Sequence, residues 1–268
     1  REFMSAPDKP KLPLQAFVMS CLVAGWGLVY AGQVKWAVRV AALLYLGVIL
    51  LGVCGVPGTP VGLYVFATFI VLVKLGSATA AAISVRRNDR PVNSPSTRFH
   101  VFYVVALVIL TLILLGPLRG PTLGFKTYFI PSGSMVPTLS IGDYIVTKMR
   151  IDAPQVGDIV TYRYNGTEAV KRVAAVGGDT LSIVDGKVIR NGENMGLFFA
   201  PPERVKDPRY LQTPQTVVEK DHVYLLGDNR DSSNDSRFMG QVAVQDITGK
   251  VTGIWYSSDR SRIGTAFQ

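Results

Sequence analysis

The sequence predicts an N-terminal α-helical membrane domain followed by a mainly antiparallel β domain that lies outside the cytoplasm. Two observations predict this division. Long stretches without charged residues are confined to the first 118 residues, and short runs of β-branched and aromatic residues fill the rest of the 268-residue chain. We therefore expect a tag remnant and N-terminal tail over 1–11, a membrane domain over 12–118 and the β domain over 119–268.

Three charge-free stretches are long enough to span a bilayer, since a spanning helix needs about 20 residues. They cover 12–34, 40–73 and 99–118, and the second is broken by a Gly/Pro turn at 55–60. The sequence therefore predicts three to four apolar helices, near 12–33, 37–55, 60–85 and 99–117. Glycines near the end of the first segment leave a re-entrant or interfacial piece as its alternative.

Arginines mark the expected cytoplasmic side of the membrane. Arg86, Arg87, Arg90 and Arg98 join the third and fourth segments, whereas the turn at 55–60 carries no charge. Under the positive-inside rule the arginine-rich joint is cytoplasmic. One crossing later the β domain emerges on the outer face.

The distribution of charge along the chain argues against nucleic acid as a partner. Residues 1–116 carry ten Lys/Arg and three Asp/Glu, whereas residues 117–268 carry eighteen and sixteen, so most of the net charge of +9 belongs to the membrane half. No stretch of the polar half interleaves clustered Lys/Arg with stacking aromatics. The expected partner of the basic surplus is the lipid bilayer.

Short apolar runs predict the strands of the second domain. They lie at 144–146, 158–162, 170–176, 181–184, 187–189, 223–226 and 250–256. Asp185-Gly186, between two of these runs, is a strong hairpin signal. No long amphipathic helix interrupts them, which predicts one mainly antiparallel domain.

Histidine, cysteine and metal chemistry are nearly excluded. His100 opens the last membrane segment and His222 precedes an apolar strand, while Cys21 and Cys54 lie in apolar segments. A Ser/His/Asp triad, a disulfide framework and a Cys/His metal site are therefore not expected. No cofactor is predicted.

A serine-containing turn and one lysine offer another route to nucleophilic catalysis. Residues 128–139 read YFIPSGSMVPTL, in which proline and glycine predict a turn that exposes Ser132 and Ser134. Lys171 lies in an apolar strand, where burial would disfavour its charged form and let it act as a base. An ordinary Pro/Ser linker and a solvent-facing lysine are the alternatives.

A third polar segment follows the strand at 223–226. Residues 226–237 read LGDNRDSSNDSR, and Asp228, Asp231 and Asp235 could hold calcium, although their spacing does not match an EF-hand. Pairing of these carboxylates with Arg230 and Arg237 in a network that supports a site is an equally good interpretation.

These three segments, in this order, resemble the motifs of bacterial type I signal peptidases, or leader peptidases, which cut signal peptides from exported proteins. The resemblance covers about residues 125–256. It implies that Ser134 is the nucleophile, that Lys171 is the general base, and that Ser132 and the Ser134 backbone N–H stabilise the oxyanion. It also implies that Ser233 hydrogen-bonds the base. The residues expected to brace the site are Asp228, Arg230, Asp235 and Arg237.

The resemblance also implies the class of substrate. Family substrates carry small residues at the first and third positions before the cut, commonly Ala-x-Ala. The shallow pockets that select them are expected to be lined by Tyr128, Ile130, Met135, Leu139, Ile145 and Val170. Ala169 departs from the bulkier aromatic expected beside the base, which bears on the width of the pocket.

The expected protein is thus a serine endopeptidase with a Ser/Lys dyad, in the bacterial cytoplasmic (inner) membrane, crossing it several times and facing the periplasm. Its expected partners are the signal peptides of preproteins, the bilayer and the secretion machinery. One alternative is a specialised relative that processes a pilin or a secretion-system subunit. A non-catalytic membrane scaffold is the other.

Overall fold

A computed structural model describes residues 11–87, 95–150 and 152–267. The chain divides into two compact units, one formed by residues 1–57 and 64–123 and the other by 58–63 and 124–268. Nearly all of the expected N-terminal tail and part of the arginine-rich joint, including Arg90, lie outside the described residues.

The first part of the chain is helical. Its helices are α1 (Pro13–Leu22), α2 (Trp26–Tyr30), α3 (Val34–Val53), α4 (Pro60–Arg87) and α5 (Thr97–Leu115). Of the described helices, α3, α4 and α5 are long and apolar enough to cross a membrane. The first expected segment is instead broken into α1 and α2 at Gly25, whose φ of 78° is readily adopted only by glycine.

Small residues and one tyrosine hold the helices around this break. Ala16 and Ala37 are fully buried in one cluster with Tyr103 of α5. The Tyr103 hydroxyl lies 2.8 Å from the carbonyl oxygen of Ala24 and 3.1 Å from that of Ala37. Because a broken helix leaves carbonyl groups without intrahelical partners, this hydroxyl compensates for the interruption after α1.

The second unit is built from β-strands. They are β1 (Phe125–Phe129), β2 (Asp143–Lys148), β3 (Ile159–Tyr164), β4 (Thr167–Val176), β5 (Thr180–Val184), β6 (Lys187–Arg190), β7 (Glu193–Asn194), β8 (Thr213–Val217), β9 (His222–Leu226), β10 (Val242–Ala243) and β11 (Ile247–Ser257). One sheet has the order β1-β2-β11-β3-β4-β9-β10 and a second has the order β7-β6-β5-β8. All pairs are antiparallel, so the expected fold class is confirmed.

The expected hairpin is present. Val184 pairs with Lys187 across Asp185-Gly186, and both turn residues have positive φ, as a two-residue hairpin turn requires. The seven expected runs all fall in strands, apart from Asp158, which immediately precedes β3. The strands that sequence patterns missed are β1, β7, β8 and β10. Two of them have only two residues, and β8 contains Pro214, which argues against a strand except at a sheet edge.

The larger sheet brings together the serine-containing turn, Lys171 and the loop after β9. The chain between β1 and β2 is closed at its neck by Ile130 N–H donating to the Asp143 carbonyl at 2.9 Å and Gly142 N–H donating to the Ile130 carbonyl at 3.0 Å. Strand β4 lies between β3 and β9, so Lys171 is in the interior of the sheet. The loop after β9 then returns to the turn between β1 and β2.

Candidate active site

The serine-containing turn is anchored from below by apolar side chains. Met135 and Leu139 are 2% and 0% exposed and pack in a core cluster with Ile130 and Ile145. Val136 N–H donates to the Gly133 carbonyl at 3.2 Å, which tightens the turn. Because the apolar side chains are buried, the turn is held firmly while Ser132 and Ser134 remain partly or fully accessible.

Lys171 contacts Ser134 directly. Its Nζ lies 2.8 Å from Ser134 Oγ and 3.0 Å from the Val170 carbonyl oxygen, and the residue is 6% exposed. Burial lowers the pKa of the Lys171 ammonium below its usual range, while the carboxylates of Asp235 and Asp228 oppose this shift. The contact therefore joins a hydroxyl to an amine that loses its proton more easily than an exposed lysine does.

Two hydrogen-bond donors lie beside the Ser134 hydroxyl. Ser132 Oγ is 3.4 Å from Ser134 Oγ and is exposed. Among the described residues no acceptor takes the Ser134 backbone N–H. A substrate oxygen that developed negative charge next to Ser134 could accept from both donors.

An ion pair links the lysine strand to the loop after β9. Arg172 Nε and Nη2 donate to the two Asp228 carboxylate oxygens at 2.9 and 2.7 Å, and both side chains are almost fully buried. Thr138 Oγ1 lies 2.5 Å from Asp228 Oδ2, which extends the link to the serine-containing turn. The Phe199 ring covers the guanidinium, with its centroid 3.9 Å from Cζ. The side chains of neighbouring strand residues point to opposite faces of the sheet, so Lys171 and Arg172 contact different partners.

A second buried ion pair stabilises the same loop. Asp235 is 0% exposed and accepts from Arg237 Nε at 2.8 Å and from the Gly227 N–H at 2.9 Å. Arg230 is 1% exposed and donates to the carbonyls of Gly227, Leu197 and Phe198. Burial lowers the pKa of Arg230 to about 10, which leaves it charged at neutral pH.

The loop carboxylates bind protein groups rather than forming one oxygen cage. Asp228 and Asp235 pair with arginines, and Asp231 accepts the backbone N–H groups of Lys206 and Asp207 at 3.0 to 3.1 Å. Of the two interpretations open from the sequence, this arrangement is the ion-pair network. Asp228 pairs with Arg172, whereas Arg230 donates to backbone carbonyls.

The expected hydrogen bond from Ser233 to the base is not formed, which corrects one sequence-based expectation. Ser233 is 7% exposed, and its Oγ has no hydrogen-bond partner among the described residues. The Lys171 amine instead contacts Ser134 Oγ and the Val170 carbonyl. The Ser233 side chain packs over Gly227, where even a methyl group would overlap it and the Ser134 carbonyl oxygen.

A cavity of about 180 Å³ adjoins the Ser134–Lys171 contact. Its walls include five of the six expected pocket residues, namely Tyr128, Ile130, Met135, Leu139 and Val170. The sixth, Ile145, is not among the lining residues; it is 0% exposed and packs in the core cluster that also holds Met135 and Leu139. Ala169 and Glu168 form part of the wall as well.

Sequence reasoning missed three residues that hold the site together: Arg172, Thr138 and Asn229. Asn229 Nδ2 donates to the Gly133 carbonyl at 2.9 Å, and its backbone N–H donates to the Ser134 carbonyl at 3.1 Å. Arg172 carried a usable signal, since an arginine within an apolar strand needs a buried anion. The contacts of Thr138 and Asn229 span 90 and 96 residues along the chain, and no local pattern marks them.

Comparison with known proteins identifies the family. The family model described as signal peptidase, peptidase S26, matches residues 98–256. The "Probable signal peptidase I-1" of Synechocystis sp. is 32% identical over 145 residues, which cover 49% of this chain and 71% of that protein. The signal peptidase I of Pseudomonas fluorescens is 29% identical over 184 residues, covering 49% of this chain and 65% of that protein.

An "Inactive signal peptidase IA" of Staphylococcus aureus strain Mu50 is 26% identical over 162 residues, covering 58% of this chain and 91% of that protein. Family membership is therefore established independently of whether a given relative is active. These findings confirm the family and the signal peptidase I function expected from the motifs: the chain belongs to the signal peptidase family, peptidase S26.

Proposed function

We propose that this chain is a membrane-bound serine endopeptidase of the signal peptidase I type that uses Ser134 as nucleophile and Lys171 as general base. The observation that carries the proposal is the 2.8 Å contact between Ser134 Oγ and the Nζ of a lysine that is 6% exposed. A nucleophile within hydrogen-bond reach of a base with a lowered pKa is the arrangement that hydroxyl activation requires.

The proposed reaction has two halves. Neutral Lys171 takes the proton of Ser134 as Oγ bonds to the scissile carbonyl carbon, and the Ser132 hydroxyl and Ser134 N–H stabilise the oxyanion. Collapse breaks the peptide bond, and the leaving amine receives the proton from Lys171. Lys171 then takes a proton from a water that attacks the acyl-enzyme. The bond between the acyl carbon and Ser134 Oγ breaks, Oγ takes the proton back from Lys171, and the signal peptide leaves with a new carboxylate.

The cavity beside Ser134 supports a preference for small side chains before the cut. A volume of about 180 Å³ with largely apolar walls suits alanine-sized groups, as in an Ala-x-Ala site. The pocket is proposed to be formed by Tyr128, Ile130, Met135, Leu139 and Val170, with Ile145 supporting it from the core.

The proposed location is the bacterial cytoplasmic membrane, with the β domain on the periplasmic face. Arg86 and Arg87 end α4, and by the positive-inside rule they support a cytoplasmic position for this end. Helix α5 then returns the chain to the outer face, where signal peptides and the secretion machinery are the proposed partners. The proposed membrane domain ends near residue 118.

Cleavage of a preprotein tests this function. The full-length chain in detergent should cut a preprotein with an Ala-x-Ala site after the second alanine, as read by mass spectrometry of both products. A matched preprotein with Phe in place of that alanine should remain uncut. Activity on several unrelated preproteins indicates a general leader peptidase, and activity on a single pilin or secretion-system subunit indicates a dedicated one. Absence of cutting on all of them would favour the non-catalytic scaffold.

The pH dependence of the cleavage rate should follow the protonation state of Lys171. Only neutral Lys171 can accept the Ser134 proton, so kcat/KM should rise with pH through the pKa of Lys171. Because burial lowers that pKa, the midpoint should lie below the value of about 10.4 typical of an exposed lysine. Initial rates across pH, with a control for unfolding at each pH, measure it. A rate that falls as pH rises over this range would contradict the assignment.

Ala169→Phe should narrow the pocket. The wild-type chain is expected to accept valine or leucine near the cut more readily than the variant, because a phenyl ring at this position would occupy cavity volume. One methylene changes selectivity by about 10- to 200-fold, so the ratio of kcat/KM for Ala-x-Ala over the bulkier site should rise at least about tenfold. Competition between the two peptides measures the ratio, and an unchanged ratio would show that Ala169 does not limit the pocket.

A further inference from the structure

Asn229 binds the serine-containing turn on both sides of Ser134. Its Nδ2 donates to the carbonyl of Gly133 at 2.9 Å, and its backbone N–H donates to the carbonyl of Ser134 at 3.1 Å. The first carbonyl belongs to the peptide group that precedes the Ser134 α-carbon and the second to the one that follows it. Asn229 is 5% exposed, so neither contact competes with bulk water.

The direction of the first contact determines where the Ser134 N–H points. In a planar trans peptide the C=O and the N–H point in opposite directions. Holding the Gly133 carbonyl toward Asn229 therefore turns the Ser134 N–H away from Asn229. Among the described residues no acceptor takes this N–H. We propose that Asn229 is a positioning residue that aims the Ser134 N–H at the substrate oxyanion, an inference that rests on the proposed function.

Two details distinguish this role from a contribution to stability alone. The Gly133 carbonyl already accepts the Val136 N–H at 3.2 Å, so it would have a partner without Asn229. In addition, Asn229 Oδ1 is buried without a hydrogen-bond partner among the described residues, and burying an unpaired amide oxygen is unfavourable. The nitrogen must be the atom that faces Gly133, because a carbonyl oxygen cannot donate. The Asn229 side-chain amide thus fixes the orientation of the Gly133 carbonyl, although that carbonyl would have a hydrogen-bond partner without it.

Asn229 is also separate from the base. Its polar contacts with the turn are to backbone carbonyls, whereas Lys171 contacts Ser134 Oγ and the Val170 carbonyl. Loss of the Asn229 amide should therefore weaken stabilisation of the oxyanion and leave proton transfer to Lys171 intact. This separation predicts a kinetic signature that differs from that of a changed base.

The test compares Asn229→Ala and Asn229→Asp with wild type and with Asn234→Ala, a control at an exposed asparagine of the same loop. Loss of one oxyanion donor lowers kcat by about 10²- to 10³-fold, so misdirecting one should lower kcat by about 10- to 100-fold. For Asn229→Ala, which adds no charge beside Lys171, we expect KM and the midpoint of the pH profile to remain near their wild-type values. The Asp variant should lose more activity than the Ala variant, since an ionised carboxylate presents only acceptors to the Gly133 carbonyl.

The outcomes separate the inference from the proposed function. Wild-type kcat in both folded variants would overturn the positioning role while the protease assignment stands. A shifted pH midpoint in Asn229→Ala, or a kcat loss matched by a loss of thermal stability, would also overturn it in favour of a structural role. If Asn229→Asp does not fold, Asn229→Ala alone decides. A wild-type chain that cleaves no preprotein would overturn the proposed function, and the inference with it.

Discussion

Ser134→Ala and Lys171→Ala should each lower the cleavage rate by about 10⁴-fold or more, because the two groups act as one unit in the proposed mechanism. Without Oγ no acyl-enzyme can form on Ser134, and without the amine no other basic side chain among the described residues contacts the hydroxyl. The Lys171 Nζ contacts Ser134 Oγ at 2.8 Å. Rates should be measured on a preprotein peptide with the full-length chain in detergent. Circular dichroism should establish that each variant is folded.

The double variant provides a sharper form of this prediction. Residues that act as a unit have non-additive effects, so Ser134→Ala combined with Lys171→Ala should be about as slow as either single variant. Ser258→Ala and Lys187→Ala, at an exposed serine and an exposed strand lysine, serve as matched controls and should cleave at the wild-type rate. Substantial activity in Ser134→Ala would show that another group is the nucleophile.

Asp235→Ala should destabilise the β domain by about 3–5 kcal/mol, the range expected when one partner of a buried ion pair is removed. Asp235 is 0% exposed, and Arg237 loses three hydrogen bonds to this carboxylate, two from its guanidinium and one from its backbone N–H. The Gly227 N–H, which donates to Asp235, would also lose its acceptor. Arg237 would remain beside the positive charge of Arg230. Chemical denaturation of the full-length chain in detergent, followed by tryptophan fluorescence, measures the change.

Asp207→Ala is the matched control for this stability prediction. It removes the carboxylate of an ion pair whose Arg209 side chain is 75% exposed. Exposed pairs contribute little because solvent screens them, so its denaturation midpoint should stay close to that of wild type. Equal effects of Asp235→Ala and Asp207→Ala would contradict the view that burial makes the first pair important.

Periodic and compositional signals predicted most of the fold. The charge-free stretches at 40–73 and 99–118 fall in α3, α4 and α5, the stretch at 12–34 holds α1 and α2, and Asp185-Gly186 joins β5 and β6 as a two-residue turn. Local physics suffices here, because hydrophobic spacing and turn chemistry act over a few residues. The break between α1 and α2 was harder to locate, since glycine in an apolar helix is common, and the features that mark this one, the positive φ of Gly25 and the contact of Tyr103 with the Ala24 carbonyl, belong to the folded structure.

The sequence by itself determined which chemistry is available: serine hydroxyls on a rigid turn, one lysine in an apolar strand, and a loop rich in carboxylates and guanidinium groups. Tertiary structure decided how these groups combine. Lys171 contacts Ser134, which is 37 residues away along the chain, and Arg172 pairs with Asp228, which is 56 residues away. Ser233 packs on Gly227 and does not form a hydrogen bond with the base. The physical reason is that strand pairing and loop closure set the distances between residues that are far apart in the sequence. Whether two polar groups form a hydrogen bond then depends on differences of fractions of an ångström.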